Sequence, residues 1–376
     1  MGWNQWLESL RLPGRLELNG SELRKIKDER FVSHQIVERG RELSAICDVR
    51  QGLAVCMSPA DGAELSALAV YDDAQWNELL YRGNEWARID DWPGRAPWLW
   101  PVAGRCYAPS RASSNTVKPD RSEEDCSWHW NGARRTMPCH GFARHQAWHS
   151  TPPVATAGGV TSAAHLLSDP SHRDIYPFDY HLSTSQELSN NGLEISFRVE
   201  ASSENSGPMP FALGLHFSFD FSSWWGDNWL QGSVEHLGRF AWKTDKMAQA
   251  SERFELPSDS ICLLDPALKS EIIPARIDEP VRLVCPDGSR ALEMSFEKVS
   301  AASEKDLVWV SYLDPQNRFF CLEPWVGWPN AINSGRGRVD LQPGQVWQFR
   351  LRLSVTPFSR FPQSSSPAVR QIVSPQ

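Results

Sequence analysis

This sequence predicts an all-β fold, a sandwich or barrel of antiparallel strands, and three observations predict it. Short segments of alternating apolar and polar residues recur along the chain, each bounded by Gly, Pro, Asn or Asp. Helical periodicity is nearly absent, apart from a short stretch at residues 4–10. No internal repeat and no interdomain linker interrupts the 376 residues, so one large β domain over 1–357 is expected, followed by a mobile Ser/Pro-rich tail over 358–376.

The strands can be placed in order. Residues 43–49, 53–57 and 63–70 alternate and are separated by turn residues. Residues 77–82 form another strand that runs into a turn at Gly83 and Asn84. The segment 92–105 holds Pro93, Pro97 and Pro101, too many for a central strand, and is expected as a rigid aromatic loop ending at Arg105. Residues 108–135 shift to Ser, Asn, Lys, Asp and Arg and are expected as a solvated surface insertion. Strands resume at 160–167, 180–188 and 193–200, and an apolar strand over 211–221 carries His216. Trp224 and Trp225 follow in a loop. Later strands are expected at 281–285, 291–296, 307–312, 319–322 and 347–355, the last alternating Trp347, Phe349, Leu351, Leu353 and Val355 with polar residues.

Composition narrows the function. The net charge of -8 gives no sign of a nucleic-acid surface. No apolar run approaches the ~18 residues of a membrane span, and the first residues lack the basic-then-apolar pattern of a secretory signal. Eight scattered cysteines without a Cys-x-x-Cys pair suit a cytoplasmic protein with reduced thiols. The 18 tryptophans suit either recognition of a planar or sugar face or an aromatic β core.

Three stretches carry chemistry. The run Cys321-Leu322-Glu323-Pro324-Trp325 delivers one carboxylate among large apolar side chains, and Pro324 is expected to end the strand there. Partial desolvation raises the pKa of such a carboxylate and makes it a better base near neutrality. His140 lies in a Gly-bearing turn with Arg144 close behind, and His216 interrupts an apolar strand. His140, His145, His149 and Cys139 do not have the spacing of a metal site, so no metal and no cofactor is expected. There is no phosphate-cradling Gly loop and no nucleophile elbow.

Together these stretches resemble the aldose 1-epimerase (galactose mutarotase-like) family from about residue 31 to 355. His140-Gly141-Phe142-Ala143-Arg144 is similar to its HGFAR motif. Met209-Pro210-Phe211 through His216, Glu323-Pro324-Trp325, and Leu341-Gln342-Pro343-Gly344 follow in the family's order. The resemblance implies a large twisted antiparallel β-sandwich and interconversion of the α and β anomers of an aldohexose. It makes Glu323 the base, His216 the acid and His140 a hydrogen-bond partner of the ring oxygen or a nearby hydroxyl. Arg105 and Arg144 become substrate-binding residues, and the partner is a small-molecule sugar. An acidic residue that binds sugar hydroxyls in the family has three candidates here, Glu271, Asp265 and Asp245. Two alternatives stand beside this reading. One is a hexose 6-phosphate substrate held by Arg82, Arg95, Arg105 or Arg144. The other is a non-catalytic sugar-binding protein on the same fold.

Overall fold

The computed structural model describes residues 1–10, 30–83, 94–107, 126–245, 249–300, 306–314, 316 and 318–356. Three sheets dominate, and every ladder between their strands is antiparallel. The first is a five-stranded meander in chain order, from Phe31–Glu38 to Gln75–Glu78, with the short helix Trp3–Ser9 packed against it. The second has nine strands, with Gly192–Ala201 and Val346–Thr356 at its centre. The third has eight and bears the carboxylate strand Phe319–Val326.

The second and third sheets face one another across the main core. Alternation aims Phe197, Phe349 and Leu351 inward from one sheet and Trp309, Phe320 and Leu322 from the other. Ring contacts cross between the layers, Phe296 to Trp309 at 4.8 Å and Trp98 to Phe197 at 4.5 Å. Trp98, Trp100, Trp128, Trp229, Trp309 and Trp347 are fully buried, so the tryptophan excess builds mainly the core. Burying roughly 150–250 Å² per ring contributes on the order of 4–6 kcal/mol of transfer free energy each.

Several local expectations change. The 92–105 loop, described from Gly94 onward, contains a two-residue strand, Trp98–Leu99, framed by Pro97 and Pro101 and paired with Leu213–Leu215. The 211–221 strand is broken into Met209–Phe211, Leu213–Leu215 and Ser218–Phe219, and Ser222–Trp225 forms one helical turn rather than a loop. Residues 108–125, and the tail from 357, lie outside the described residues. The end of the expected insertion is not a solvated loop. Ser127–Trp130 and Ala133–Thr136 form a hairpin whose Trp128 is buried and donates to the Ile175 carbonyl at 3.0 Å.

Pro324 does not end its strand. Phe319–Val326 continues through it and pairs along its whole length with Leu307–Asp314. On its other side the ladder is bridged at Gly214↔Trp325 and again at Ser218↔Cys321. Between these bridges it is open, and a residue without an amide hydrogen is tolerated where the ladder is interrupted. The register is the same on both sides of the gap, so His216 stands opposite Glu323.

Candidate active site

The gap in the ladder is where the site forms. Cys321, Glu323 and Trp325 alternate onto one face of their strand, away from the main core, with Val308, Val310 and Ile272 beside them. Across the gap, His216 Nε2 lies 3.2 Å from Glu323 Oε1. The second carboxylate oxygen accepts the Trp325 indole N–H at 3.0 Å. Gly214 permits this, because a Cβ there would meet Trp325 Cδ1 at 2.7 Å. Only the absence of a side chain lets the indole lie across the neighbouring strand and reach the carboxylate.

His140 comes from the turn before Ala143–His145. It adopts a left-handed φ of 65°, and Gly141 follows at 74°. A Cβ on Gly141 would come within 2.1 Å of the Trp100 carbonyl oxygen, so the turn packs directly on backbone. Gly104 fixes the histidine from both ends. The His140 amide donates to the Gly104 carbonyl at 2.8 Å, and the Gly104 amide donates to His140 Nδ1 at 3.1 Å. A neutral imidazole that accepts at Nδ1 carries its proton on Nε2. The His140 ring lies 5.5 Å from that of His216 and 6.3 Å from that of Trp325.

The electrostatics follow from burial. Glu323 is 2 % exposed, and loss of solvent pushes its carboxyl well above the usual range, opposed by the Trp325 hydrogen bond. Burial likewise pushes His216 well below the imidazole range, reinforced by His140 and Arg144. Both effects favour uncharged partners, so the pair holds one proton between them. Burial, then Arg144 and Arg105, lowers His140 to about 3. Both arginines therefore act on His140 through their charge. Arg144 is buried, and Arg105 is held by the Tyr107 hydroxyl. Asn330 exchanges hydrogen bonds with the Tyr107 backbone, at 3.0 and 3.2 Å, tying the carboxylate motif to the Arg105 loop.

Other candidates are not brought here. Arg82 pairs with Glu38 and Glu78. Arg95 is 1 % exposed and pairs with the buried Glu64 at 3.5 Å, so neither is a phosphate fork. Glu271 is registered with Ser311 and Leu322, which puts it on the opposite face of the sheet from Glu323. Asp265 caps the turn Pro266–Leu268 by accepting from the Ala267 amide at 2.8 Å. Glu271 is thus removed as a hydroxyl-binding acid on the face of Glu323, Asp265 is engaged in its turn cap, and the Asp245 side chain lies outside the described residues. His149 belongs to the edge strand His149–Ala155 beside His165, which separates it from His140. Among the described residues, His216, Cys321 and Glu323 are the three ligand-type side chains close enough together to hold a metal ion. Two neighbours escaped the sequence, Trp325 as a donor and Cys321 beside the pair. Carrying the period-two alternation through Pro324 would have found both.

Among curated proteins none matches this chain. Solved structures do. A galactose mutarotase-like protein from Clostridium acetobutylicum aligns with a TM-score of 0.66 at 14% identity, over 86% of this chain and 98% of that one. A galactose mutarotase related enzyme from Lactobacillus acidophilus aligns at 0.63 and 19% identity, over 87% and 98%. The galactose 1-epimerase of Lactobacillus acidophilus aligns at 0.59 and 13%, over 86% and 98%. At these identities the likeness shows the fold, a galactose mutarotase-like antiparallel sandwich. The family model described as aldose 1-epimerase matches residues 61–257, more than half of the sequence, and the chain belongs to that family.

Proposed function

We propose that this protein interconverts the α and β anomers of a neutral aldohexose by acid–base ring opening and reclosure. The observation that carries this is the buried His216–Glu323 contact at 3.2 Å, with a second imidazole, His140, whose ring lies 5.5 Å from that of His216. Ring opening removes a proton from the C1 hydroxyl and delivers one to the ring oxygen. Both oxygens are bonded to C1, so two groups within hydrogen-bond reach of each other can serve both.

Glu323 takes the hydroxyl proton and His216 supplies the other. The resting pair shares one proton, and its move to the imidazole gives the reactive form. The Trp325 N–H stabilises the carboxylate that this leaves. His140, protonated at Nε2, donates to the ring oxygen or an adjacent hydroxyl. Arg144 and Arg105 hold the sugar. The open aldehyde turns about C1–C2 and recloses with the two roles reversed. A pure binder has no need of such a pair.

Two of the four arginines suggested for a 6-phosphate are consumed by Glu38, Glu78 and Glu64, which supports the neutral sugar. The test is polarimetry or NMR of freshly dissolved α-D-glucose, α-D-galactose and their 6-phosphates with the purified protein. Acceleration for a free aldose is expected. No acceleration for any of the four overturns the proposal.

A further inference from the structure

Four side chains meet across the gap beside Phe319–Val326. His216 stands opposite Glu323 and Ser218 opposite Cys321, all on one face. A histidine nitrogen, the Cys321 Sγ and a carboxylate oxygen all lie within 4.8 Å of one another. The Cys321 sulfur is 3.7 Å from Ser218 Oγ, is not in a disulfide, and takes no part in the proton transfer described above.

The donor set has a chemical preference. Zinc binds thiolate sulfur at ~2.3 Å and imidazole nitrogen or carboxylate oxygen at ~2.0–2.2 Å in a tetrahedron, which sets neighbouring ligand atoms about 3.3–3.7 Å apart. The His216–Glu323 pair, at 3.2 Å, is already near that spacing. The thiol needs to close by only ~1 Å, within reach of a rotamer adjustment. Hard ions such as magnesium and calcium prefer all-oxygen sites, so the thiol and imidazole select a softer ion. Three protein ligands leave one coordination position open.

We propose that His216, Cys321 and Glu323 bind a thiophilic divalent cation, zinc first, and that the bound ion inhibits the enzyme. The ion occupies the lone pairs through which Glu323 and His216 pass protons. The inhibition rests on the function proposed above, whereas the binding does not.

Zinc affinity of the full chain is measured by competition with a chromophoric chelator, and anomerisation is followed at the same buffered free zinc. One zinc per chain is expected at this site, with inhibition that EDTA reverses. Cys321→Ala should keep its metal-free turnover and bind zinc at least ~100-fold more weakly, since loss of an outer-shell partner alone costs 10–100-fold. Its inhibition should weaken in parallel. Cys321→Ser, closer in size, serves if the alanine variant does not fold. Unchanged affinity and unchanged inhibition in the cysteine variant overturn the proposal. So does zinc binding that is lost in His165→Ala instead, because His149, His165 and His181 form a separate array with rings 5.5 and 5.6 Å apart. If the chain turns over no aldose, the chelator titration alone decides the binding claim, and the two failures remain distinct.

Discussion

Glu323 and Glu271 are both buried carboxylates on one sheet, two strands apart, and they have opposite surroundings. Glu323 shares a lateral row with Val310 and Ile272, whereas Glu271 shares the next row with Ser311 and Leu322. A one-residue offset in a strand turns a side chain to the other face. Burial raises both, Glu271 to about 7. Glu323 meets an imidazole and an indole N–H. Among the described residues, Glu271 Oε2 is buried without a hydrogen-bond partner, as is the hydroxyl of Ser311 opposite it. A raised carboxyl is therefore not enough to mark a base. The partners gathered on its face make the difference.

The sharpest way to break this comparison is Glu323→Gln. It should keep the fold and sugar affinity and lose about 100- to 10,000-fold in rate. A rate within about threefold of wild type would remove Glu323 from the role of base. His216→Asn should lower kcat more than it raises KM, whereas His140→Asn should damage both, as read from steady-state kinetics. If His216→Asn lowers only the melting temperature, His216 is a core residue and the contact with Glu323 is structural.

A smaller effect concerns the substrate. The ratio of kcat/KM for glucose 6-phosphate to that for glucose should stay below about ten at two salt concentrations. A higher ratio that falls with added salt, as screening requires, would make Arg105 and Arg144 phosphate anchors. The smallest effect on rate belongs to Glu271→Gln, which should leave turnover unchanged and alter stability instead. Glu271 has a folded pKa of about 7, above its ordinary 4.5. Its stabilising effect is present below 4.5 and is lost as pH rises through 7. The glutamine variant should then match wild type at pH 4 and be more stable at pH 8, by about 2 kcal/mol once the ~3.4 kcal/mol of the full shift is reduced for solvent screening at a partly exposed carboxyl, measured by urea unfolding.

Much of this was legible in the sequence, because period-two alternation reports directly on which face of a strand is buried. The sequence singles out His140, His216, Glu323, Arg105 and Arg144, and the structure sets His140, His216 and Glu323 beside one another, with Arg144 and Arg105 bearing on His140 through their charge. The failures have physical causes. Pro324 suggested a strand end, but a gap in the neighbouring ladder admits a residue without an amide hydrogen. Glu271 was a candidate because its face is set by register with a strand nearly forty residues away, which no local pattern encodes. Arg82 and Arg95 were open because their partners, Glu38 and Glu64, come from other strands. The hairpin at 127–136 was hidden because its polar residues outnumber the one buried Trp128.

We propose that the face occupied by Glu323, and not burial alone, makes it the base. NMR saturation transfer between the α and β anomeric protons of one aldose tests it, with wild type, Glu323→Gln and Glu271→Gln compared at equal protein concentration. The account predicts fast exchange in wild type and Glu271→Gln, and exchange near the protein-free rate in Glu323→Gln. Fast exchange in Glu323→Gln, or equal loss in both variants, would contradict it.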